Sequence, residues 1–117
     1  MINVRKIIGL KRWTEEEDKW AKESIKLVIE EVSETALKIE RDAKMIVPVD
    51  TGELRGSIGT KTTKKATSIS AEVGTDVEYS EIIEFGGRGR RAQPYLLPSF
   101  DKNIRSLEKK LTGILEG

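Results

Sequence analysis

Between residues 21 and 46 the apolar positions recur every three or four residues: Ala21, Ile25, Val28, Val32, Ala36, Ile39, Ala43 and Ile46. That spacing draws one continuous apolar face on an α-helix. Thr14 supplies an N-cap, and Glu17, three residues on, completes a capping box. Glu15, Glu16, Glu17 and Asp18 place negative charge at the positive end of the helix dipole. Pro48 ends the run, because proline lacks a backbone donor and drives Val47 out of the helical region. The pattern therefore predicts one helix of roughly 32 residues, about 48 Å long. A compact domain of this size has a radius of gyration of only about 13 Å. Such a helix must overhang its own domain, bend, or lie against another subunit.

The rest of the chain shows a different rhythm. Residues 1–13 read as an N-terminal arm in which Ile2, Val4, Ile7 and Ile8 form a short strand ending near Gly9. After Pro48, Asp50-Thr51-Gly52 reads as a turn with a ready cap, and Glu53-Leu54-Arg55 as one helical turn. Two strands are expected, a Thr-rich one over 57–63 and one over 67–74. In the second, Ile69, Ala71 and Val73 alternate with Ser68, Ser70 and Glu72. Lys64-Lys65-Ala66 would join them as a hairpin connection. Tyr79, Ile82, Ile83 and Phe85 fit either a helical turn or a third strand. Residues 86–93 read as a mobile Gly/Arg loop. Pro94 and Pro98 hold Tyr95-Leu96-Leu97 extended, and a second helix is expected over about 99–115, with Phe100, Ile104, Leu107, Leu111 and Leu115 on one face.

The chain thus reads as a single α+β domain over residues 1–117. A long N-terminal helix and a C-terminal helix pack on a small antiparallel β-sheet. Ile25, Val32 and Ile39 on the first helix, and Phe100, Ile104 and Leu111 on the second, are expected to fill the space between helices and sheet. Trp20 and Leu27 stand seven residues apart, off the main apolar stripe of the long helix. They either cap the edge of the core or form a second contact surface, and they are the candidate subunit interface.

Composition narrows the function. The chain holds 21 Lys+Arg and 20 Asp+Glu, a net charge of +1, so no overall basic excess marks it as a nucleic-acid binder. It has no Cys and no His, which removes disulfides, thiol catalysis, zinc-thiolate sites and the commonest general base and metal ligand. Residues 1–10 have no signal-peptide pattern, and no stretch is apolar enough to span a membrane. The expected setting is the cytosol unless a particle carries the protein out.

The candidate chemistry is thin. Gly56-Ser57-Ile58-Gly59-Thr60-Lys61-Thr62 has two residues between its glycines, where a phosphate-binding loop needs four, and Thr60 precedes Lys61. Asp50, Glu81 and Glu84 fall near turns, and their expected role is capping or solvated charge. A hydrolytic carboxylate pair would need a deep apolar cleft, which so few aromatic residues cannot build. No catalytic residue, metal ligand or cofactor site is assigned. Arg88, Arg90 and Arg91 on a Gly-rich loop could contact phosphate or a protein partner. Lys61, Lys64 and Lys65 would extend that patch if the hairpin tip lay nearby.

With these residues laid out, the chain resembles the gene-product-ten-like bacteriophage tail-component family. Val47-Pro48-Val49-Asp50-Thr51-Gly52-Glu53-Leu54-Arg55-Gly56-Ser57-Ile58 is similar to the family's signature stretch. Val73-Gly74-Thr75, Tyr79-Ser80, Glu84-Phe85-Gly86 and Ala92-Gln93-Pro94-Tyr95-Leu96-Leu97-Pro98 follow its later blocks in the same order. Tyr95 stands where the family usually has Phe, and Leu97 and Ser99 where it tends to have Arg and Ala. The resemblance implies a structural virion protein, a head–tail connector, tail-completion or minor tail protein, and no catalytic residue. It implies a homo-oligomeric ring, sixfold, working with other connector or tail-tube proteins at the head–tail junction, after a stage in the bacterial host cytoplasm. It gives structural roles to Pro48, Asp50, Thr51, Gly52, Leu54, Tyr79, Phe85, Pro94 and Pro98. Asp50 or Thr51 would cap the turn after the long helix, Leu54 with Ile58 would anchor it, and Tyr79 and Phe85 would be large core anchors. Pro94 and Pro98 would set the approach to the last helix, with Pro98 in its first turn. Two other classes stay open beside this one: a small nucleic-acid-binding module using the lysine and arginine groups, and a small hydrolase with no nameable site.

Overall fold

The computed structural model describes residues 4–11, 19–48, 52–65 and 68–116. The Thr14 capping box, Asp50, Thr51 and Ala66 lie outside the described residues, as does the side chain of Trp20. Seven elements follow in order: β1 (Val4–Lys11), α1 (Lys19–Ile46), α2 (Glu53–Ser57), β2 (Gly59–Lys65), β3 (Ser68–Thr75), α3 (Ser80–Phe85) and α4 (Leu96–Glu116). The fold is α+β, with long helices toward both ends flanking a small antiparallel sheet.

The strands are ordered β1-β3-β2, so the N-terminal strand pairs with the far side of the β2–β3 hairpin. β1 runs to Lys11, two residues past the expected end, opposite Ser68 on β3. The central strand alternates as its sequence requires, with Ile69, Ala71 and Val73 fully buried on the helix side. β2 starts at Gly59 and includes Lys64 and Lys65, which pair with Ile69 and Ser68. Those two lysines belong to the edge strand itself. Charged, exposed edge residues of this kind discourage pairing with a foreign strand.

On α1 the middle of the expected stripe is inside, with Val28, Val32, Ala36, Ile39 and Ala43 almost wholly buried, but Ile46 at its end is 52% exposed, a correction to its expected place. Small residues at 36 and 43 let the neighbouring layers approach closely. The last α1 turn closes with the Val47 N–H on the Ala43 carbonyl at 2.9 Å, and Pro48 then prevents continuation. Lys44 in that turn complements the negative end of the dipole. On α4, Leu107 is buried, while Phe100, Ile104 and Leu111 are half-buried against the same core. Ile25 is only half-buried and stays outside that core, a correction to its expected place.

A buried polar clamp fixes α1 to α4. Asn103 Nδ2 donates to Asp42 Oδ2 at 2.9 Å and to the Ser99 carbonyl at 2.7 Å. Arg41 and Lys102 add positive charge at 3.2 and 3.8 Å from the same carboxylate. The Asn103 hydrogen bond, against the cost of burial and with help from Arg41 and Lys102, holds the Asp42 carboxyl below the usual range.

The molecule is drawn out along its helices. Its extents are 56 × 25 × 19 Å and its radius of gyration is 16.3 Å, against about 13 Å for a compact domain of similar length. With 28 residues, α1 is about 42 Å long. The helix does not stand alone, because α4 runs antiparallel beside it, with Asp42 against Asn103, Glu31 against Lys110 and Leu27 near Ile114.

Candidate functional site

The signature stretch forms the joint between α1 and the sheet. Gly52 enters α2 at φ 77° and ψ −10°, a left-handed conformation that a side chain would strain. Its carbonyl accepts the Gly56 N–H at 2.9 Å, closing the single turn. From that turn Leu54 and Ile58 drop into the core, both nearly inaccessible. The Ser57 hydroxyl donates to the Leu54 carbonyl at 2.7 Å and meets the buried Thr75 hydroxyl. Thr75 in turn accepts from the Val77 N–H at 3.1 Å, so the turn, β3 and the segment leading to α3 are tied through two hydroxyls. Pro48, Gly52, Glu53, Leu54, Tyr79, Ile83 and Arg90 line a shallow depression over this joint.

A second buried arrangement links α3 to the start of α4. Helical spacing turns Ser80, Ile83 and Glu84 inward. Glu84 is 1% exposed, and its carboxylate accepts the backbone N–H groups of Leu96 at 2.8 Å and Tyr95 at 3.2 Å. It thereby caps the N-terminus of α4 from a separate element. That remote cap lets α4 begin at Leu96, three residues before the expected start, so Leu96 and Leu97 are helical rather than extended. Pro98 sits in the first turn, where its missing N–H costs nothing, and Pro94 precedes the helix on an exposed stretch.

The same spacing overturns the role expected for Phe85. As the last residue of α3 it points away from Ser80, Ile83 and Glu84, and it is 57% exposed. A strand would have buried Phe85 with Ile83; a helix cannot. Tyr79 is half-buried against the core, its hydroxyl near Glu53 at 3.5 Å. The large aromatic anchor is Tyr95, which is fully buried. Its hydroxyl lies close to that of Ser80, outside ordinary hydrogen-bond geometry, and neither has another partner among the described residues. Burial, with the negative charge of Glu84, pushes the Tyr95 phenol above the ordinary tyrosine range.

The arginine loop is a closed turn. Gly87 and Arg90 exchange backbone hydrogen bonds at 3.1 and 2.9 Å, and the Gln93 N–H reaches the Ile83 carbonyl at 2.8 Å. Gly86 has φ 82°, and a Cβ there would lie 2.9 Å from the Ala92 nitrogen, so only glycine fits. Arg88, Arg90 and Arg91 are all exposed. Lys64 and Lys65 do not join them. Arg90 lies beside Pro48 and Leu54, near the Thr75 end of β3, whereas Lys64 and Lys65 lie at its Ser68 end. Those ends are about 23 Å apart. Lys61 and Lys65 also face the opposite side of the sheet from Lys64. Lys64 and Lys65 are therefore not part of one basic patch with the arginines.

Apolar side chains do gather outside. Leu27, Leu37, Met45 and Ile46 are 47%, 57%, 71% and 52% exposed, all on α1. Leu27 lines the groove between α1 and the end of α4, with Ser24, Glu31, Lys110 and Ile114. Sequence reasoning named Leu27 but missed Leu37, Met45 and Ile46. The signal was present, since 37 and 45 depart from the core spacing, but they read as interruptions of the main stripe. Among the described residues no group of three or more acidic side chains converges as a metal site would need, and no helix is long and apolar enough to cross a membrane.

The polar groups of these arrangements serve as caps and clamps, and α1 leaves apolar residues turned outward. The family model described as "Bacteriophage HK97-gp10, putative tail-component" matches residues 11–86, well over half the chain. The chain belongs to that family of phage tail components. The match covers α1, the signature turn, β2, β3 and α3; it leaves out β1 except Lys11 and stops before the Ala92-Gln93-Pro94 block. No curated protein and no solved structure matches the chain.

Proposed function

We propose that this tail component is a subunit of the head–tail junction or tail-completion ring of a phage or prophage particle, and that it works by assembly and not by catalysis. Copies join into a ring, sixfold as the family resemblance implies, beside connector and tail-tube proteins. The subunit passes through the host cytoplasm before it reaches the virion. The observation that carries this reading is the set of four large apolar side chains that α1 leaves exposed, Leu27, Leu37, Met45 and Ile46. A monomer gains nothing from that exposure, whereas burying such residues in a protein interface is favourable.

Less supports the nucleic-acid reading, because Lys64 and Lys65 lie at the opposite end of β3 from the arginine turn. The test is a Trp20→Ala, Leu27→Ser double variant introduced into a phage lacking the gene. It should keep its helix content and thermal transition yet fail to join particles. Normal particle yield from the double variant would refute the assignment of this face to assembly. Loss of soluble protein would instead place the two residues in the subunit's own core.

A further inference from the structure

Two exposed surfaces of opposite charge lie at different stations along the molecule. The first is the outer face of α1, where Glu23, Leu27, Glu30, Glu34 and Leu37 follow at intervals of four, three, four and three residues. That interval pattern keeps all five on one stripe of a helix. All five are exposed, and among the described residues no cation pairs with Glu23, Glu30 or Glu34. Lys26 flanks the stripe at one edge, and Arg41 continues it but is drawn to Asp42.

The second surface is the closed turn carrying Arg88, Arg90 and Arg91, with Phe85 exposed beside it. Among the described residues no carboxylate pairs with Arg88 or Arg91. Arg90 and Pro48 line the same depression, which places the turn near the C-terminal end of α1. Glu30 lies 18 residues before Pro48, about 27 Å away along the helix axis. One copy therefore cannot neutralise its own stripe with its own arginines.

We propose that the two surfaces are the halves of one interface between successive copies of this chain. Phe85, Arg88 and Arg91 of one copy seat on the stripe from Glu23 to Leu37 of the next. The inference rests on the reading of the chain as a ring subunit and names the contact that would build the ring. Two different patches make a heterologous contact, and repeating it closes a ring or propagates a filament. The turn is held by backbone hydrogen bonds, so little ordering cost remains on docking. Phe85 can cover Leu27 or Leu37 while the guanidinium groups meet the glutamates between them. A DNA backbone would satisfy the arginines but would leave both the stripe and Phe85 unexplained.

The chain is free of cysteine, which makes cross-linking the direct test. A chain carrying Glu34→Cys together with Arg91→Cys, oxidised within particles, should give a ladder of covalent multimers beyond the dimer. Neither single variant should give a ladder. In parallel, Arg88→Glu with Arg91→Glu should cut incorporation into particles at least tenfold, and so should Glu30→Arg with Glu34→Arg. The four changes combined should return incorporation to within about threefold of the parent. All four positions are exposed, and thermal transitions would confirm that the variants fold. Absence of the ladder, or a combined variant no better than its halves, would overturn the interface. So would arginine reversals that abolish salt-sensitive binding to a duplex DNA probe while incorporation stays normal. If every reversal incorporates normally but deleting the gene blocks particle formation, the interface fails and the ring reading stands. If deleting the gene changes nothing, the ring reading fails as well.

Discussion

Replacing Glu84 by alanine tests the joint between α3 and α4. The carboxylate is nearly inaccessible and holds the Leu96 and Tyr95 N–H groups at 2.8 and 3.2 Å. Alanine leaves both donors buried at a helix N-terminus without an acceptor. Each buried donor left unpaired costs about 1–3 kcal/mol. Removing a buried carboxylate returns part of that, because its own desolvation is no longer incurred. The net loss should be about 2–4 kcal/mol. For a domain of this length each kcal/mol lowers the melting temperature by about 3–6 °C, so a fall of roughly 6–24 °C is expected in a calorimetric scan. Glu84→Gln, which keeps one acceptor oxygen, should fall between parent and alanine. A melting temperature within about 2 °C of the parent for Glu84→Ala would show that α4 does not depend on this cap. The reasoning about its early start would then be wrong.

Three further outcomes follow from the same contacts. Val32→Ala or Ile39→Ala should destabilise by about 1–4 kcal/mol in denaturant titrations, since both side chains are wholly buried; a smaller loss would contradict the packing of α1 on the sheet. Tyr95→Phe should change stability by less than about 1 kcal/mol, because the buried hydroxyl it removes has only the Ser80 hydroxyl beside it, outside ordinary hydrogen-bond geometry; a larger loss would show that the fold depends on this pair. Asp42→Asn should weaken the domain at neutral pH. The Asp42 carboxyl sits below its ordinary value of 3.8, so its stabilisation is complete above that value and fades as pH falls through the lower folded one. The gap between parent and variant should therefore close under acid conditions, and a gap constant from pH 7 to pH 2 would contradict the clamp.

Much of this fold is legible in the sequence where a period is long enough to be read. The stripe from Val28 to Ala43 spans several turns, and Pro48 stops it, so α1 could be placed to within a few residues. Leu54 and Ile58 were legible as anchors through the signature stretch that the chain shares with the family, and both are buried. Phe85 was not, because six residues do not separate a helical period from an alternating one. The outcome turned on Glu84, whose partners lie 11 and 12 positions on, beyond a glycine-rich turn. No local pattern announces a cap supplied from another element, and that is also why α4 was expected to begin at residue 99. The candidate surface was half legible. Leu27 stood out as an apolar residue off the stripe, while Leu37 and Met45 were hidden by their charged neighbours. The separation of Lys64 and Lys65 from the arginines needed the register of β2 on β3, which sequence alone does not fix.

Imaging of particles from a phage with and without this gene tests the central claim most directly. The account predicts that purified particles contain the chain, that averaged images show a ring at the head–tail junction, and that its mass is a whole multiple of 13.1 kDa. Particles lacking the gene should lose that ring and fail to hold head and tail together. Intact, infectious particles assembled without the gene, or purified particles from which the chain is absent, would contradict it.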